Sequence, residues 1–461
     1  MILTDDILLE IFVFYRHTYD DALWEWHVLV HVCRRWRQIV FESPRLLDLK
    51  IRCTTKTPAK ENLSIWPAFP IAIDFRPTLF DSIPSNDVAA FEDTGRISYL
   101  KLDLTELRSR TSSWSKTFTT LTSKPFPVLT HLIIHIPVED GLAPPLPDDF
   151  LGGYAPRLQI IHLHNIAFPA LQTFLLSARH LVELRLHRIP RVDIISPVTM
   201  AMFLAELPRL KTLVLQFQSR YPPHNTPVHP PPVTRPVHPA LTSIEFTGPS
   251  YYLEGIVPHI DCPRLNQITI SYMSWLRNFQ FEQLFGFFNR TISPFGHVKV
   301  YFHDHGVTFN LYHPTNRTDW HSHPATTVIS CQSINWRLFD LLNDFSVILS
   351  TVVDLKFVGK LWSTNSLNNG CILEWLPFLH QLPALQTLYV SLPLAEGFAH
   401  ALKSVKGEEV AKALPSLELF GLEGQTSSIE EFAGVRQLSD CPLTVVGTEA
   451  EFDQRLSARN C

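Results

Sequence analysis

Histidines are the residues in this chain best suited to chemistry, and there are 21 of them. The pairs His303/His305 and His321/His323 would each place two imidazoles on one side of an extended strand, a spacing that metal sites can use. No HExxH or other complete ligand motif accompanies them, and the surrounding threonines and asparagines are typical of a surface loop. Solvated histidines are therefore the simpler interpretation. The alternative is a metal-binding sensor or enzyme built on six histidines and two nearby aspartates: His297, His303, His305, His313, His321 and His323, with Asp304 and Asp319.

Motifs that would indicate catalysis are missing from the sequence. There is no Gly-rich phosphate loop, no GxSxG elbow and no Cys-His-Asn signature, and the whole chain has only 17 glycines. We therefore expect a non-catalytic protein with no cofactor and no resident metal.

Charge and cysteine usage indicate which partners and which cellular compartment to expect. Lys and Arg number 39 against 44 Asp and Glu, so no strongly basic surface is expected and nucleic acid is not a predicted partner. The 7 cysteines are scattered and never form CxxC, which indicates a reducing compartment. Neither a secretory signal nor an apolar run long enough for a membrane span is present, so we expect a cytoplasmic or nuclear protein without a membrane partner.

The elements at the start of the chain are predicted to be two short helices. Thr4, Asp5 and Asp6 suit a helix N-terminus, and the apolar residues that follow recur at helical spacing. A second helix is predicted over 26–40, with arginines 34, 35 and 37 largely on its solvated side, and Pro44 ends it. Each helix carries a wide apolar stripe, which some forty residues cannot bury among themselves. We therefore expect a partner helix or groove to cover the remainder.

These residues resemble the F-box, the adaptor-binding module of SCF-type ubiquitin ligases. The resemblance rests on Leu3-x-x-Asp-Ile-Leu-x-x-Ile-Phe12 and on Val32-Cys-Arg-Arg-Trp36, with one departure: Thr4 stands where the family usually has proline. The pattern begins at Met1, which leaves open whether further residues precede it. The continuation Arg34-Arg-Trp-Arg-Gln-Ile-Val-Phe-x-Ser-Pro-Arg-Leu-x-Asp-Leu49 is similar to a large fungal set of F-box proteins with divergent leucine-rich tails.

The resemblance implies a substrate receptor that docks to the SCF adaptor, and through it to a cullin, while holding an unknown protein substrate. Trp36 is the expected hot spot, where truncation would remove about 2 kcal/mol or more of adaptor affinity. The alternatives are a helical hairpin that merely caps the rest of the chain, and an F-box scaffold that ubiquitylates nothing. Nine residues are predicted to contact the adaptor: Leu3, Ile7, Leu8, Ile11, Phe12, Leu29, Val32, Cys33 and Trp36.

A leucine-rich pattern recurs behind this module. It reads Leu-x-x-Leu-x-Leu with variations, and seven of its eight clear copies have a proline two residues before the first leucine. The copies begin at Leu129, Leu158, Leu181, Leu210, Leu241, Leu265, Leu385 and Leu417, and weaker ones start near 97 and 352. Helical sequence is predicted between them at 196–207, 280–290, 371–382 and 408–414.

Strand plus helix at this period is typical of a leucine-rich-repeat solenoid, in which each unit buries its apolar face against its neighbours. The fold class predicted is therefore α/β, a short helical F-box-like module (1–47) followed by an irregular leucine-rich-repeat solenoid (48–461). A non-repeating α/β domain with proline-bounded strands is the alternative.

Three segments depart from the repeat. The stretch 220–239 is predicted to be a proline-rich loop, because so many of its residues lack a backbone donor. The stretch 302–330 is predicted to be an irregular His-rich insertion. Residues 424–461 are predicted to cap the last repeat, with a helix at 429–438 and a strand at 443–446.

Overall fold

The computed structural model describes 3–18, 26–57, 59–66, 68–76, 91–106, 121, 124–136, 149–166, 175–190, 194–218, 235–273, 281–292, 294–303, 306–314, 325–332, 338–359, 375–392, 394–395, 398–399, 414–424, 433–434 and 443–459. The chain forms two units, one made of 1–194 with 206–210 and the other of 195–205 with 211–461. The predicted boundary at 47/48 does not coincide with a unit boundary, since the first helices and the first strands share one unit.

Three helices open the first unit: α1 (Asp5–Thr18), α2 (Trp26–Val30) and α3 (Arg34–Glu42). The single helix predicted over 26–40 is wrong, because Cys33 interrupts it with extended backbone angles (φ −158°, ψ 170°). The Cys33 thiol accepts a hydrogen bond from the Trp36 N–H at 3.4 Å, so it caps α3 rather than continuing α2. Residues 17–23 are predicted to join the first two helices; 17 and 18 belong to α1, and the rest of this segment lies outside the described residues.

The strands of the first unit form a parallel sheet in chain order. They are β1 (Ile51–Thr54), β2 (Ile71–Phe75), β3 (Ile97–Asp103), β4 (His131–His135), β5 (Ile160–His164) and β6 (Glu183–Ile189), with helix α4 (Ala59–Ile65) between β1 and β2. Along β4 and β5, buried residues alternate with half-buried ones. One face of these strands is therefore core, and the other is accessible.

The second unit contains α5 (Pro197–Ala205) and ten described strands in the order β7-β8-β9-β12-β11-β10-β13-β14-β15-β16. The strands are β7 (Thr212–Phe217), β8 (Ser243–Gly248), β9 (Gln267–Met273), β10 (His297–His303), β11 (Gly306–Tyr312), β12 (Thr327–Gln332), β13 (Asp354–Gly359), β14 (Thr387–Val390), β15 (Leu419–Leu422) and β16 (Thr444–Val446). The helices described there after α5 are α6 (Ser250–Ile256), α7 (Glu282–Thr291), α8 (Leu338–Leu349), α9 (Trp375–Leu379) and α10 (Glu449–Arg459).

The segment predicted to be irregular contains two strands of this sheet. β10, β11 and β12 form an antiparallel meander, whose outer strands continue the parallel pairing to β13 and β9. The description as irregular therefore does not hold over 302–303, 306–312 and 327–330. Longer-range strand pairing, which the leucine repeat does not encode, decides this part of the fold.

A tight turn precedes the strands of the repeat and explains the prolines. In all eight copies the first leucine donates its backbone N–H to the carbonyl three residues earlier, and the strand begins two residues later. Proline occupies the second position of the turn in seven copies, where its fixed φ suits the geometry. The first leucine is buried in every copy. Local chemistry therefore places these strands, and the predicted α/β class is confirmed.

Other predicted elements are partly visible. The helix predicted at 196–207 is confirmed as α5, with the Ser196 hydroxyl accepting the Thr199 N–H at 3.1 Å, and that predicted at 280–290 is confirmed as α7. α9 covers part of the helix predicted at 371–382, and β16 the strand predicted at 443–446. Most of the proline-rich loop lies outside the described residues, and so does most of each helix predicted at 408–414 and 429–438. Among the helices that are described, none has the length and hydrophobicity needed to cross a bilayer.

Candidate partner-binding surface

Helix α1 carries two apolar stripes that face different environments. Leu8 and Phe12 are buried, at 4% and 1% exposure. Ile7 and Ile11 are four residues apart and therefore share the other side. Leu3, just before the helix begins, is exposed as well, and the exposed fraction of these three residues is 43–47%. The outward stripe is free to contact another molecule, whereas the inward stripe belongs to the core.

Trp36 joins α3 to α1. Its ring lies edge-on against Phe12, with centroids 4.8 Å apart and an interplanar angle of 61°. Trp36 remains half-buried. It therefore supports the position of α1 and leaves part of its own surface exposed, so its truncation would affect folding as well as any contact made by that surface.

Arg35 places the start of α1 beside the start of α3. Its guanidinium pairs with Asp5 at 2.6 Å and donates to the Leu3 carbonyl at 2.5 Å. Val32 and Cys33, immediately before α3, are both exposed. Arg37 likewise donates to the Val30 carbonyl at 2.9 Å, so two of the three arginines predicted to be solvated also form hydrogen bonds within the protein.

The structure therefore divides the nine predicted adaptor contacts. Leu8, Phe12 and Leu29 are buried, and Trp36 is half-buried. Cys33 is exposed. The exposed apolar members are Leu3, Ile7, Ile11 and Val32, which we call the apolar surface. Among the described residues, seven of the fourteen large apolar residues that are exposed lie within 3–46. Such a concentration in one short segment is typical of an interaction site.

An aromatic cluster fixes α2 and α3 to the adjoining part of the first unit. Trp26 lies 5.2 Å from Trp66, 5.8 Å from Phe69 and 6.1 Å from Phe41, measured between ring centroids. The Trp26 indole also donates to the Lys50 carbonyl at 2.8 Å. The apolar surface consequently rests on a packed support rather than on an isolated hairpin.

The histidine cluster predicted at 297–323 is not assembled in the described residues. His297 is buried, with Nδ1 2.5 Å from Asp354, whereas His303 is exposed at the end of β10 and His313 is half-buried. Its other members, His305, His321, His323, Asp304 and Asp319, lie outside the described residues. Within the ranges that the structure describes, no three His, Cys, Asp or Glu side chains are grouped so that they could hold a metal.

A different group of histidines lies on the accessible face of the first unit. Asp103, His135, His164 and His187 are aligned across β3, β4, β5 and β6. The His135 and His164 rings lie 5.7 Å apart, and those of His164 and His187 6.3 Å. The density of histidines along the sequence does not reveal this row. The available signal was histidine at alternating positions in successive repeats.

Burial controls protonation on this face. It lowers the pKa of His135 and His164 on the row, and of His131 and His162 nearby, below the ordinary 6.5. His162 also contacts Glu183 at 2.8 Å, which opposes the lowering of its pKa. His135 and His164 are therefore held neutral at a pH where free imidazole begins to take up protons.

We predict that this face makes the protein less stable in mild acid. A lowered folded-state pKa means that the unfolded chain binds more protons, so the stabilisation is present above about pH 6.5 and declines below it. Urea unfolding at about pH 7.5 and pH 5.5 should give a lower midpoint in acid, and a His135→Gln/His164→Gln variant should show a smaller difference. An equal difference in both proteins would contradict the prediction.

The buried cysteines do not supply a nucleophile. Burial raises the pKa of the Cys53 thiol to about 11 and that of Cys262 to about 12, so both remain protonated thiols near neutral pH. Burial also raises the pKa of Cys331. All three pack as small apolar side chains.

No family model matches this chain, and no curated protein matches it.

Proposed function

We propose that this chain is the substrate-recognition subunit of an SCF-type ubiquitin ligase. Residues 1–47 would act as an F-box-like module that docks to the SCF adaptor, and the repeat strands would form a leucine-rich-repeat solenoid that holds a protein substrate. The observation that carries the proposal is the exposed stripe of Leu3, Ile7 and Ile11 beside the start of α3. Apolar residues at this spacing suit a helix-in-groove interface.

The repeat supports the second half of the proposal. Parallel strands preceded by the same tight turn, which contains proline in seven of the eight copies, bury one face and leave the outer face of β4 to β6 accessible. In a solenoid this accessible face is available to a partner, while each unit is stabilised by its neighbours. Catalysis would belong to the cullin and its RING partner, and the complex would work in the cytoplasm or nucleus.

The test is co-expression with the SCF adaptor followed by size-exclusion chromatography. Ile11→Lys should weaken the complex by roughly 30-fold, because a charge would enter an apolar interface near its centre. Val347→Lys is the matched control, since Val347 is a β-branched residue on helix α8 with 59% exposure. This control should co-elute with the adaptor as the wild type does.

Ile11→Lys is preferred to Trp36→Ala because Ile11 is exposed and its replacement should leave the fold intact. A folded wild type that elutes without the adaptor would refute the proposal. The chain could also form a stable complex with the adaptor while no co-purifying protein is turned over in a cullin-dependent way. That result would favour the F-box scaffold over the substrate receptor.

A further inference from the structure

Helix α10 covers one face of the sheet in the second unit. The residues on this face are aligned across β10, β13 and β14, with Lys299 beside Lys356 and Lys356 beside Tyr389. Phe452 and Leu456 of α10 are buried in an apolar cluster with strand residues Tyr389, Leu419 and Val446. On β4 and β5 the corresponding outward positions are only half-buried.

The covered face is cationic, and the helix is acidic where they meet. Only 1% of the Lys356 side chain is exposed and only 8% of the Lys299 side chain. Lys356 pairs with Asp453, and Glu449 lies 3.5 Å from Lys356 and 3.7 Å from Lys299. Since buried ammonium groups require matching charge, this face selects an anionic partner.

Aromatic contacts give the face a shape as well as a charge. The Lys356 ammonium lies 5.8 Å from the Tyr389 ring centroid and 5.4 Å from that of Phe452. At Gly421 an added Cβ would lie 2.6 Å from the Tyr389 ring and 2.9 Å from the Phe452 ring, so glycine leaves room for both rings. The face therefore has a seat for one aromatic side chain beside two cations.

The attachment of α10 relies on few apolar contacts. Phe452 and Leu456 are its buried apolar residues among those described, whereas Gln454, Arg455 and Ser457 are exposed. Only residues 447 and 448 separate it from β16. A helix held by two apolar side chains and partly exposed carboxylates should open more readily than the sheet. On opening, both lysines would become solvated.

We propose that the face formed by β10, β13, β14 and β15 is a docking site for an acidic amphipathic helix, which α10 occupies within the same chain. The recognised pattern is Glu-x-x-Phe-Asp-x-x-Leu, as in 449–456. An external helix with this pattern competes with α10 for Lys299, Lys356 and the aromatic seat. The assignment of such a helix to a ligase substrate rests on the proposed function. The docking itself is independent of adaptor binding.

The experiment measures binding of a labelled peptide with the sequence of 447–459 to the full-length chain, by fluorescence anisotropy and without adaptor. Asp453→Lys repels Lys356 and frees the face, so it should bind the peptide at least about tenfold more tightly than the wild type, whose site is occupied. Glu451→Lys is the matched control, because Glu451 contacts Arg455 on its own helix at 3.8 Å and should leave the face covered. A peptide with serine in place of both anchors, Phe452 and Leu456, should not bind.

Hydrogen exchange of the wild type keeps the inference falsifiable if the Asp453→Lys variant does not fold. Backbone amides of α10 should exchange at least about tenfold faster than those of β13 and β14. Equal protection of helix and strands would overturn the inference, as would a folded Asp453→Lys variant that binds no more tightly than the wild type. Neither measurement contains adaptor. A negative result would therefore overturn the docking inference without bearing on the ligase proposal.

Discussion

Replacing Trp26 with alanine should lower the free energy of unfolding by about 3–5 kcal/mol. Only 9% of this residue is exposed, and its ring packs against Phe41, Trp66 and Phe69. Truncation would open a cavity in this cluster and remove the hydrogen bond to the Lys50 carbonyl. Because α2 and α3 rest on it, the apolar surface should lose its support.

Urea unfolding followed by intrinsic fluorescence and circular dichroism measures this effect. Trp26→Phe is the informative control, because it keeps an aromatic ring and loses the indole donor, which should cost only about 1–2 kcal/mol. A loss below about 1 kcal/mol for Trp26→Ala would mean that the aromatic cluster does not hold the helices. Adaptor binding should weaken in parallel with stability, unlike the selective loss expected of Ile11→Lys.

Replacing Asp354 with alanine is expected to destabilise the second unit by about 2–6 kcal/mol, because it leaves two buried polar groups without their acceptor, at about 1–3 kcal/mol each. Asp354 lies 2.5 Å from His297 Nδ1 and accepts the Thr387 hydroxyl at 2.6 Å. All three residues are buried. The variant would leave an imidazole and a hydroxyl inside the protein without this acceptor.

Thermal and urea unfolding of Asp354→Ala and Asp354→Asn separate the contribution of the carboxylate charge from that of the oxygen acceptor. The asparagine variant keeps an oxygen acceptor for Thr387 and loses the negative charge, so its destabilisation should be smaller. The result also bears on whether His297 could be a metal ligand. Both of its ring nitrogens face an oxygen, since Nδ1 faces Asp354 and Nε2 lies 3.4 Å from the Pro314 carbonyl oxygen. If both variants matched the wild type in stability, the contact would have no structural role and His297 would be free for another one.

On the candidate surface, helical spacing predicts which residues lie on the same stripe but not which of them are buried. Spacing alone groups Ile7, Leu8, Ile11 and Phe12 on one broad stripe of α1. Which pair is buried depends on α3, because the Trp36 ring covers Phe12 and leaves Ile7 and Ile11 exposed. The nine predicted contacts could not be divided from sequence, since the dividing side chains lie more than twenty residues away along the chain.

Local chemistry allowed the sequence to determine the α/β class and the start of the strands in the repeat. Proline fixes a backbone angle in the turn, leucine two residues later enters the core, and the strand follows after two further residues, all within one short segment. The cap at Ser196 was predictable for the same reason. Each of these features depends on neighbours only a few residues apart.

Tertiary structure decided the features that join distant segments. The meander of β10, β11 and β12, the row of His135, His164 and His187, and the cover of Lys356 by α10 all bring together residues from separate elements. The break at Cys33 belongs with them, because α2 turns to pack Trp26 on Trp66 and Phe69 while α3 packs Trp36 on Phe12. A periodic pattern states which residues share a face, but only the packed chain determines which faces are buried, because burial depends on contacts that the pattern does not contain.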